Sequence, residues 1–378
     1  SGEQARMVEA CATTTDRIAC VVGVAGAGKT TATRALVQAL ETGGVPVLGA
    51  APSGAAAVKL GAETGMRSTT MHRLLADADA DGQLPRRCVV IVDEAGMADT
   101  RTLEALLREV ERADGKAVLV GDPEQLPSVG AGGLYGEIIE RLGAVELHEN
   151  RRQVDRGERA ALAALRAGAG RDYVAWAATN ARIVSNGDPV ALRQRLVAEW
   201  WRHARNDPAE NVMIALRRRD VRDLNAVART LMDSAGKLGE DRLDVAGREF
   251  AVGDRIVCLK NQDSIGVRNG TRGVIVEVDL AKRALVVEAD GSRVMLPSSY
   301  LEQGRVRHGY ALTGHAAQGA TVDRAFVLAN GSSKEWGYVV ASRGRSKTVL
   351  FTDESTALAA SLGRSRRETL GVIRPDRR

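Results

Sequence analysis

The sequence predicts an α/β protein of doubly wound parallel sheets, with a small antiparallel β-barrel set into its second half. Three observations carry this. Apolar runs such as "CVVGV" from Cys20, "CVVIV" from Cys88 and "AVLVG" from Ala117 alternate with helical stretches over the first 150 residues. Strands read this way when both faces of a parallel sheet are covered, and right-handed crossovers then wind the sheet twice. From Phe250 the texture changes to short strands separated by Gly, Asn and Asp, which reads as an antiparallel barrel.

The elements follow in order. A strand at Arg17–Gly23 leads into a helix at Lys29–Leu40, then a strand at Val45–Ala50 and a helical "SGAAAVKLGAET". The run from Cys88 to Gly96 is a third strand, "LEALLREVER" an amphipathic helix, and Lys116–Leu126 a fourth strand. Helices at "ERAALAALRAG" and "DPVALRQRLVAEWWRHAR" precede a strand at Asn211–Leu216. Barrel strands follow in "FAVGDRIVCLKNQ", "TRGVIVEVD", "RALVVEAD" and "SRVMLPSSYL", and the α/β alternation resumes at "RHGYALTGHAAQG". The Arg-rich end reads as a helix and a loose tail.

Composition bounds the function. Of 378 residues, 44% are hydrophobic and 27% charged, as in a soluble globular protein. Only 3% are aromatic, so the cores must be built from Ala, Val, Leu and Ile. The net charge of +5 permits a polyanionic partner and equally fits an Arg-rich solvated surface. The four cysteines, at 11, 20, 88 and 258, have no C-x-x-C spacing, which argues against zinc or a disulfide framework and for a reducing cytoplasm. No apolar run approaches the length of a membrane span. The chain opens on Ser1-Gly2 rather than Met, the expectation being a piece of a longer parent with other domains.

Chemistry concentrates in the stretch from Gly23 to Thr30, which satisfies G-x-x-x-x-G-K-S/T between a strand and a helix. Glycines let backbone N–H groups close on phosphate oxygens, and the helix N-terminus adds partial positive charge. The cradle spans Gly23, Ala25, Gly26, Ala27, Gly28, Lys29, Thr30 and Thr31; Lys29 is placed to reach the β- and γ-phosphates of ATP and Thr30 to hold Mg²⁺. Asp93 and Glu94 end the strand "VVIV"; Asp93 is assigned to the metal and Glu94 to the attacking water. Gln125 follows the next strand at the same sheet edge, where it either senses the γ-phosphate and orients water or is a polar loop residue.

In order and wording, these segments resemble the superfamily 1 DNA helicases, most of all the RecD-like group and the helicase portion of TraI/TraA-type conjugative relaxases. The resemblance runs from Gln4 to about Asp353 through "EQARMVEA", "GVAGAGKTT", "APSGAAAVKL", "STTMHRLL", "VDEAGM", "GDPEQLPSVGAGG", "HENRRQ", "YALTGHAAQGAT" and "YVVASRGRS". It implies two RecA-like domains with ATP in the cleft between them. Gln4 would read adenine, and Arg152 and Arg343 would be arginines from the second domain that stabilise transition-state charge. Residue by residue it implies DNA contacts at Pro52, Ser53, His72, His315 and Gln318. Packed core positions remain the alternative for the two histidines. The inserted barrel becomes an SH3-like subdomain, with Lys260, Arg268, Asn269 and Arg272 as backbone contacts or ordinary solvated loop residues. Trp336 and Tyr338 are read as core rather than as stacking platforms.

The expected boundaries are 1–149 for the first domain, with a short insertion near 73–87; 150–245 and 304–356 for the second; 246–303 for the barrel; and 357–378 for the tail. The expected function is an ATP-dependent helicase moving 5′→3′ on single-stranded DNA and at junctions with duplex. The alternatives are a translocase or repair motor without strong unwinding, and a nucleotide-gated DNA-binding module. A tyrosine with three histidines, needed for nicking, is not found, so a relaxase reaction is not expected of this stretch.

Overall fold

The computed structural model describes residues 1–366 except 129 and 290. The chain forms two compact units, Ser1–Val154 and Asp155–Arg364. Residues 150–154 thus belong to the first unit, five residues beyond the expected boundary at 149.

In the first unit, α1 (Gly2–Thr13), β1 (Ile18–Gly23), α2 (Lys29–Thr42), β2 (Val47–Ala51), α3 (Gly54–Thr64), β3 (Ser68–Thr70) and α4 (Met71–Asp81) come in order. After them come β4 (Val89–Val92), α5 (Thr100–Arg112), β5 (Lys116–Gly121), α6 (Leu134–Leu142) and β6 (Val145–Leu147). The strands form one sheet in the order β3-β2-β4-β5-β1-β6, with every pairing parallel. Alternation along each strand splits the side chains between two cores. Val21, Ile91, Val118 and Val120 pack with Met7, Leu36, Val37 and Leu60 of α1, α2 and α3. Cys20, Val90, Val92 and Leu119 face the other way, onto Leu74, Leu103, Leu106, Val110 and Ile138 of α4, α5 and α6.

Two strands, β3 and β6, were not expected; at three residues each they are too short to show periodicity. The expected strand at Lys116–Leu126 stops at Gly121. Pro123 has no N–H for a ladder, and the Asp122 carboxylate turns the chain by accepting the Glu124 N–H at 3.1 Å. The segment 73–87 holds most of α4, which Thr70 caps by accepting the Arg73 N–H at 3.2 Å and which stops at left-handed Gly82.

The second unit runs α7 (Arg156–Arg166), α8 (Gly170–Thr179), β7 (Ile183–Ser185), α9 (Pro189–Ala204), β8 (Asn211–Ala215) and α10 (Arg218–Ser234). A hairpin of β9 (Leu243–Val245) and β10 (Arg248–Phe250) leads to β11 (Arg255–Cys258), β12 (Arg272–Asp279), β13 (Ala284–Ala289) and β14 (Ser292–Leu296). Then follow α11 (Ser298–Leu301), β15 (Val306–His308), β16 (Ala311–Thr313), α12 (Gly314–Ala317), β17 (Val322–Leu328), α13 (Lys334–Ala341), β18 (Gly344–Thr352) and α14 (Ser355–Leu362). The expected tail from 357 begins inside α14, and 367–378 lie outside the described residues.

Here β16-β8-β17-β18-β7 form a second parallel sheet. Met213, Phe326 and Phe351 pack against Leu192, Leu196 and Trp200 of α9 and Leu224 of α10. The antiparallel strands form an open five-stranded sheet, β14-β13-β12-β11-β15, with β14 and β15 at its edges. It extends past the expected limit of 303 because Val306–His308 pairs back onto β11. A buried polar joint ties this sheet to the parallel one. Asp254, with no exposure, accepts from Tyr310 Oη at 2.8 Å, Ala251 N–H at 2.9 Å and Arg229 Nε at 3.1 Å. Asn225 Oδ1 accepts from the N–H groups of Tyr310 and Ala311. Among the described residues, no helix is long and apolar enough to cross a membrane.

Candidate functional site

Three adjacent strands of the first sheet, β4, β5 and β1, end at the same edge. The loop after β1 begins the cradle. Gly28 precedes α2 at φ +76° and offers no side-chain cap, so the first N–H groups of the helix point into the loop without a side-chain acceptor. The Lys29 side chain folds back over Gly23. Its Nζ donates to the Gly23 carbonyl at 2.6 Å, and a Cβ at Gly23 would stand 2.6 Å from Lys29 Cγ. Only glycine leaves room there. Ala25 and Ala27 are buried, while Thr30 is half-buried and Thr31 exposed on the first turn.

Gln4 reaches this loop from α1. Its Nε2 donates to the Gly28 carbonyl at 3.1 Å, and its Oε1 accepts from the Ser1 amine at 3.0 Å in a capping box. A second brace comes from the segment after β6. Arg151 N–H donates to the Gly26 carbonyl at 2.9 Å, and a Cβ on Gly26 (φ +82°) would fall 2.6 Å from Arg152 Cβ and 2.7 Å from Asn150 Oδ1. Asn150 Oδ1 also accepts the Arg152 N–H at 3.0 Å. Arg152 is therefore a first-unit residue seated on the cradle, not one brought by the second. The short pairing of β6 with β1 puts it there.

Asp93 and Glu94 follow β4. Asp93 N–H donates to the Ala50 carbonyl at 2.9 Å, and Glu94 turns the chain at φ +51°. Desolvation, then the charge of Glu94, raises the Asp93 carboxyl above its ordinary value, with Lys29 opposing. The thiols of Cys11, Cys20 and Cys258 are pushed up to about 11 by burial. Gln125 is buried after β5, with Nε2 3.5 Å from Asp122 Oδ2. A hydroxyl at Thr30 and a carboxylate at Asp93 are hard oxygen donors, the set Mg²⁺ takes beside phosphate and water.

Two contributors escaped sequence reasoning. Tyr135 of α6 donates to the Val21 carbonyl at 2.7 Å and lies against Gly96 and Gly121, a wedge beneath the β4–β5–β1 edge. A lone aromatic at a helix start carries no signal of this. Asn150 sits beside the arginines already singled out, and a polar side chain there was the available clue.

The remaining positions spread over both units. Pro52 is half-buried, and Ser53 caps α3 by accepting the Ala56 N–H at 3.2 Å. His72 is exposed on α4, its Nε2 3.4 Å from Thr102 Oγ1, so it is not a core histidine. Asn269 is exposed in the β11–β12 connection, held by a 2.8 Å bond from its N–H to Asn261 Oδ1. His315 is on the exposed side of α12, and the Gln318 N–H donates to its carbonyl at 3.2 Å. Trp336 and Tyr338 are both buried; Gly314 leaves space for the Trp336 indole. Arg343 is buried, donating to Val339 O at 2.7 Å, Ala320 O at 3.1 Å and Ser342 Oγ at 2.8 Å, whereas exposed Arg345 pairs with Glu210 at 2.6 Å.

Fold and cradle together define a P-loop nucleotide-binding domain. A family model described as an AAA domain matches residues 1–188. The conjugal transfer protein TraA of Agrobacterium fabrum is 38% identical over 93% of this chain and 32% of its own length. The ATP-dependent RecD2 DNA helicase of Deinococcus radiodurans is 30% identical over 85% of this chain and 44% of its own. A crystal structure of Pif1 helicase from Bacteroides, in complex with ADP-AlF3 and ssDNA, superposes with a TM-score of 0.64 over 95% of this chain and 93% of that one, at 18% identity. The chain is similar to the TraA and RecD proteins over most of its own length, and its fold is that of the Pif1 helicase structure. It spans about a third of the length of the TraA relatives it matches.

Proposed function

We propose that the protein is an ATP-dependent DNA helicase that moves 5′→3′ along single-stranded DNA and separates duplex at junctions. The observation that carries this reading is the convergence of the Gly23–Thr30 cradle, Asp93-Glu94 and Gln125 at one edge of three adjacent parallel strands. In this reading both units are RecA-like, the antiparallel sheet is an SH3-like insertion, and ATP is hydrolysed in the cleft between the units.

Each residue then has a role. Backbone N–H groups of the cradle bind the phosphates, Lys29 leaves the Gly23 carbonyl for a phosphate oxygen, and Gln4 orients the base. Thr30 and Asp93 would hold Mg²⁺, which supplies charge neutralisation at the phosphates when bound. Glu94 accepts a proton from the attacking water and Gln125 orients it. Arg152 offsets phosphoryl charge from the first unit and Arg343 from the second. Pro52, Ser53, His72, Asn269, His315 and Gln318 grip the strand by phosphate and sugar, without reading sequence.

The test is ATP turnover with and without single-stranded DNA, followed by forks carrying a 5′ or a 3′ tail. Stimulation by DNA and unwinding of the 5′-tailed fork are expected; turnover indifferent to DNA overturns the motor. A second reading, translocation without strong unwinding, draws support from the short helix α4 that takes up most of segment 73–87. It predicts DNA-stimulated turnover with both forks left intact.

A further inference from the structure

Strand β6 lies at the edge of the first sheet, its ladder with β1 running from Val145 opposite Val21 to Leu147 opposite Gly23. One further bond, from the Val24 N–H to the Leu147 carbonyl at 3.1 Å, extends it. There the two chains part. One forms the Gly23–Thr30 loop and the other runs on through 148–152 to Arg152. Backbone N–H groups that leave an edge strand must find acceptors outside the ladder.

Glu3 supplies one. It is half-buried in the first turn of α1, one residue before Gln4. Its Oε2 accepts from the His148 N–H at 3.0 Å and from the Glu149 N–H at 3.1 Å. Hydrogen bonds to an ionised carboxylate are about twice as strong as neutral ones, and negative charge is favoured at a helix N-terminus. The side chains of these two residues face other partners. His148 Nε2 lies 2.6 Å from a Glu146 oxygen, and a Glu149 oxygen lies 2.7 Å from Arg151 Nη2. Glu3 therefore grips main chain, whatever side chains stand at 148 and 149.

The contacts close a ring. Glu3 holds 148–149, and two residues on the Arg151 N–H donates to the Gly26 carbonyl at 2.9 Å. From Gly26 the loop runs to Gly28, whose carbonyl accepts from Gln4 Nε2 at 3.1 Å, and Gln4 adjoins Glu3 on α1. A Cβ on Gly26 would stand 2.6 Å from Arg152 Cβ, so Arg152 leaves the main chain directly over the loop. How it stands there depends on where α1 holds the 148–152 segment, and Glu3 sets that.

We propose that Glu3 is a positioning residue for ATP hydrolysis: it seats Arg152 against the phosphate loop and ties that arginine to the helix carrying Gln4. The proposal rests on the reading in which Arg152 offsets phosphoryl charge and Gln4 orients the base. A guanidinium held in place beforehand needs no reordering as charge develops, and a displacement of about 1 Å can cost about 100-fold in rate.

The test uses the full chain with Glu3→Ala, Glu3→Asp and Glu3→Gln, with Arg152→Ala, and with Arg152→Ala combined with each of the first two. Aspartate keeps the charge but stops one methylene short of the two N–H groups. Glutamine keeps the reach and an acceptor oxygen. Hydrogen exchange of nucleotide-free protein, read by mass spectrometry on peptides covering 145–152, reports the tether itself. Exchange is faster in the Ala and Asp variants and near wild type in the Gln variant. ATP turnover with single-stranded DNA present reports the consequence. In the Ala and Asp variants kcat and kcat/KM fall together by about 10- to 100-fold, and Gln keeps most of the rate. Neither substitution lowers the rate further once Arg152 is alanine, because both act through that arginine. Melting temperature checks folding, and Glu3→Asp carries the comparison if Glu3→Ala does not fold. Unchanged exchange in the Ala and Asp variants overturns the tether. Faster exchange with unchanged kcat, or losses that add to that of Arg152→Ala, overturns the positioning role. A Gln variant as slow as Ala overturns the acceptor account. If Arg152→Ala itself turns over like wild type, the role given to Arg152 falls, and the proposal with it; an impaired Arg152→Ala beside normal Glu3 variants sinks the proposal alone.

Discussion

Alanine at Gly26 tests how the cradle is braced. The residue sits at φ +82°, where an L side chain costs about 1–2 kcal/mol. The added Cβ would stand 2.6 Å from Arg152 Cβ and 2.7 Å from Asn150 Oδ1, closer than such atoms approach, so the 150–152 segment must retreat. Retreat loosens the 2.9 Å bond from Arg151 N–H to the Gly26 carbonyl, worth about 1 kcal/mol. The sum is roughly 2–3 kcal/mol, or about 30- to 140-fold weaker ATP binding if all of it falls on the closed loop. Isothermal titration with ATP, beside a thermal melt, measures it. Unchanged affinity together with an unchanged melt would refute the claim that the segment carrying Arg152 rests on the loop.

Lys29→Ala abolishes ATP turnover while keeping DNA affinity, as turnover and anisotropy report; normal hydrolysis would mean the cradle is misassigned. Arg343→Ala removes three donors from a buried site, so it lowers the melting temperature by about 5–15 °C as well as cutting turnover; an unshifted melt contradicts the buried placement. Asp254→Ala strips the acceptor from Tyr310, Ala251 and Arg229 and destabilises by about 3–5 kcal/mol in denaturant melts; a neutral result would show the joint to be dispensable. Burial pushes the Glu158 carboxyl up to about 7 from its ordinary 4.5, with Arg182 opposing. The folded state then holds that proton more tightly than the unfolded one, so stability declines as pH rises from 4.5 toward about 7. Glu158→Gln should flatten this dependence in melts taken at several pH values; an unaltered profile counts against it.

The Gly23–Thr30 loop was legible because its motif is local. A run of glycines, a lysine and a hydroxyl must be contiguous to wrap a phosphate, so sequence spacing is already geometry. The acids after β4 were legible for a related reason: a wholly apolar strand ending in Asp93-Glu94 marks its own carboxyl end. The antiparallel texture after Phe250 was readable from its turns, but its limits were not. Strand β15 joins that sheet only through its ladder with β11, and a three-residue strand has no period of its own.

Arg152 and Arg343 show where reading the chain runs out. Both are arginines beside small or polar residues, and nothing in "NRRQ" or "ASRGR" says which way a guanidinium points. The pairing of β6 with β1 seats Arg152 on the first unit's own cradle. The turn between α13 and β18 draws Arg343 inward onto backbone carbonyls, leaving Arg345 at the surface. The sequence by itself determined the parallel sheet, the glycine-rich loop between β1 and α2 and the two acids that follow β4, since each depends on neighbours along the chain. Only the tertiary structure decided which unit owns Arg152 and that Tyr135 and Asn150 brace the site. Those facts depend on strand order and register, and residues far apart in sequence become neighbours only when the ladders form.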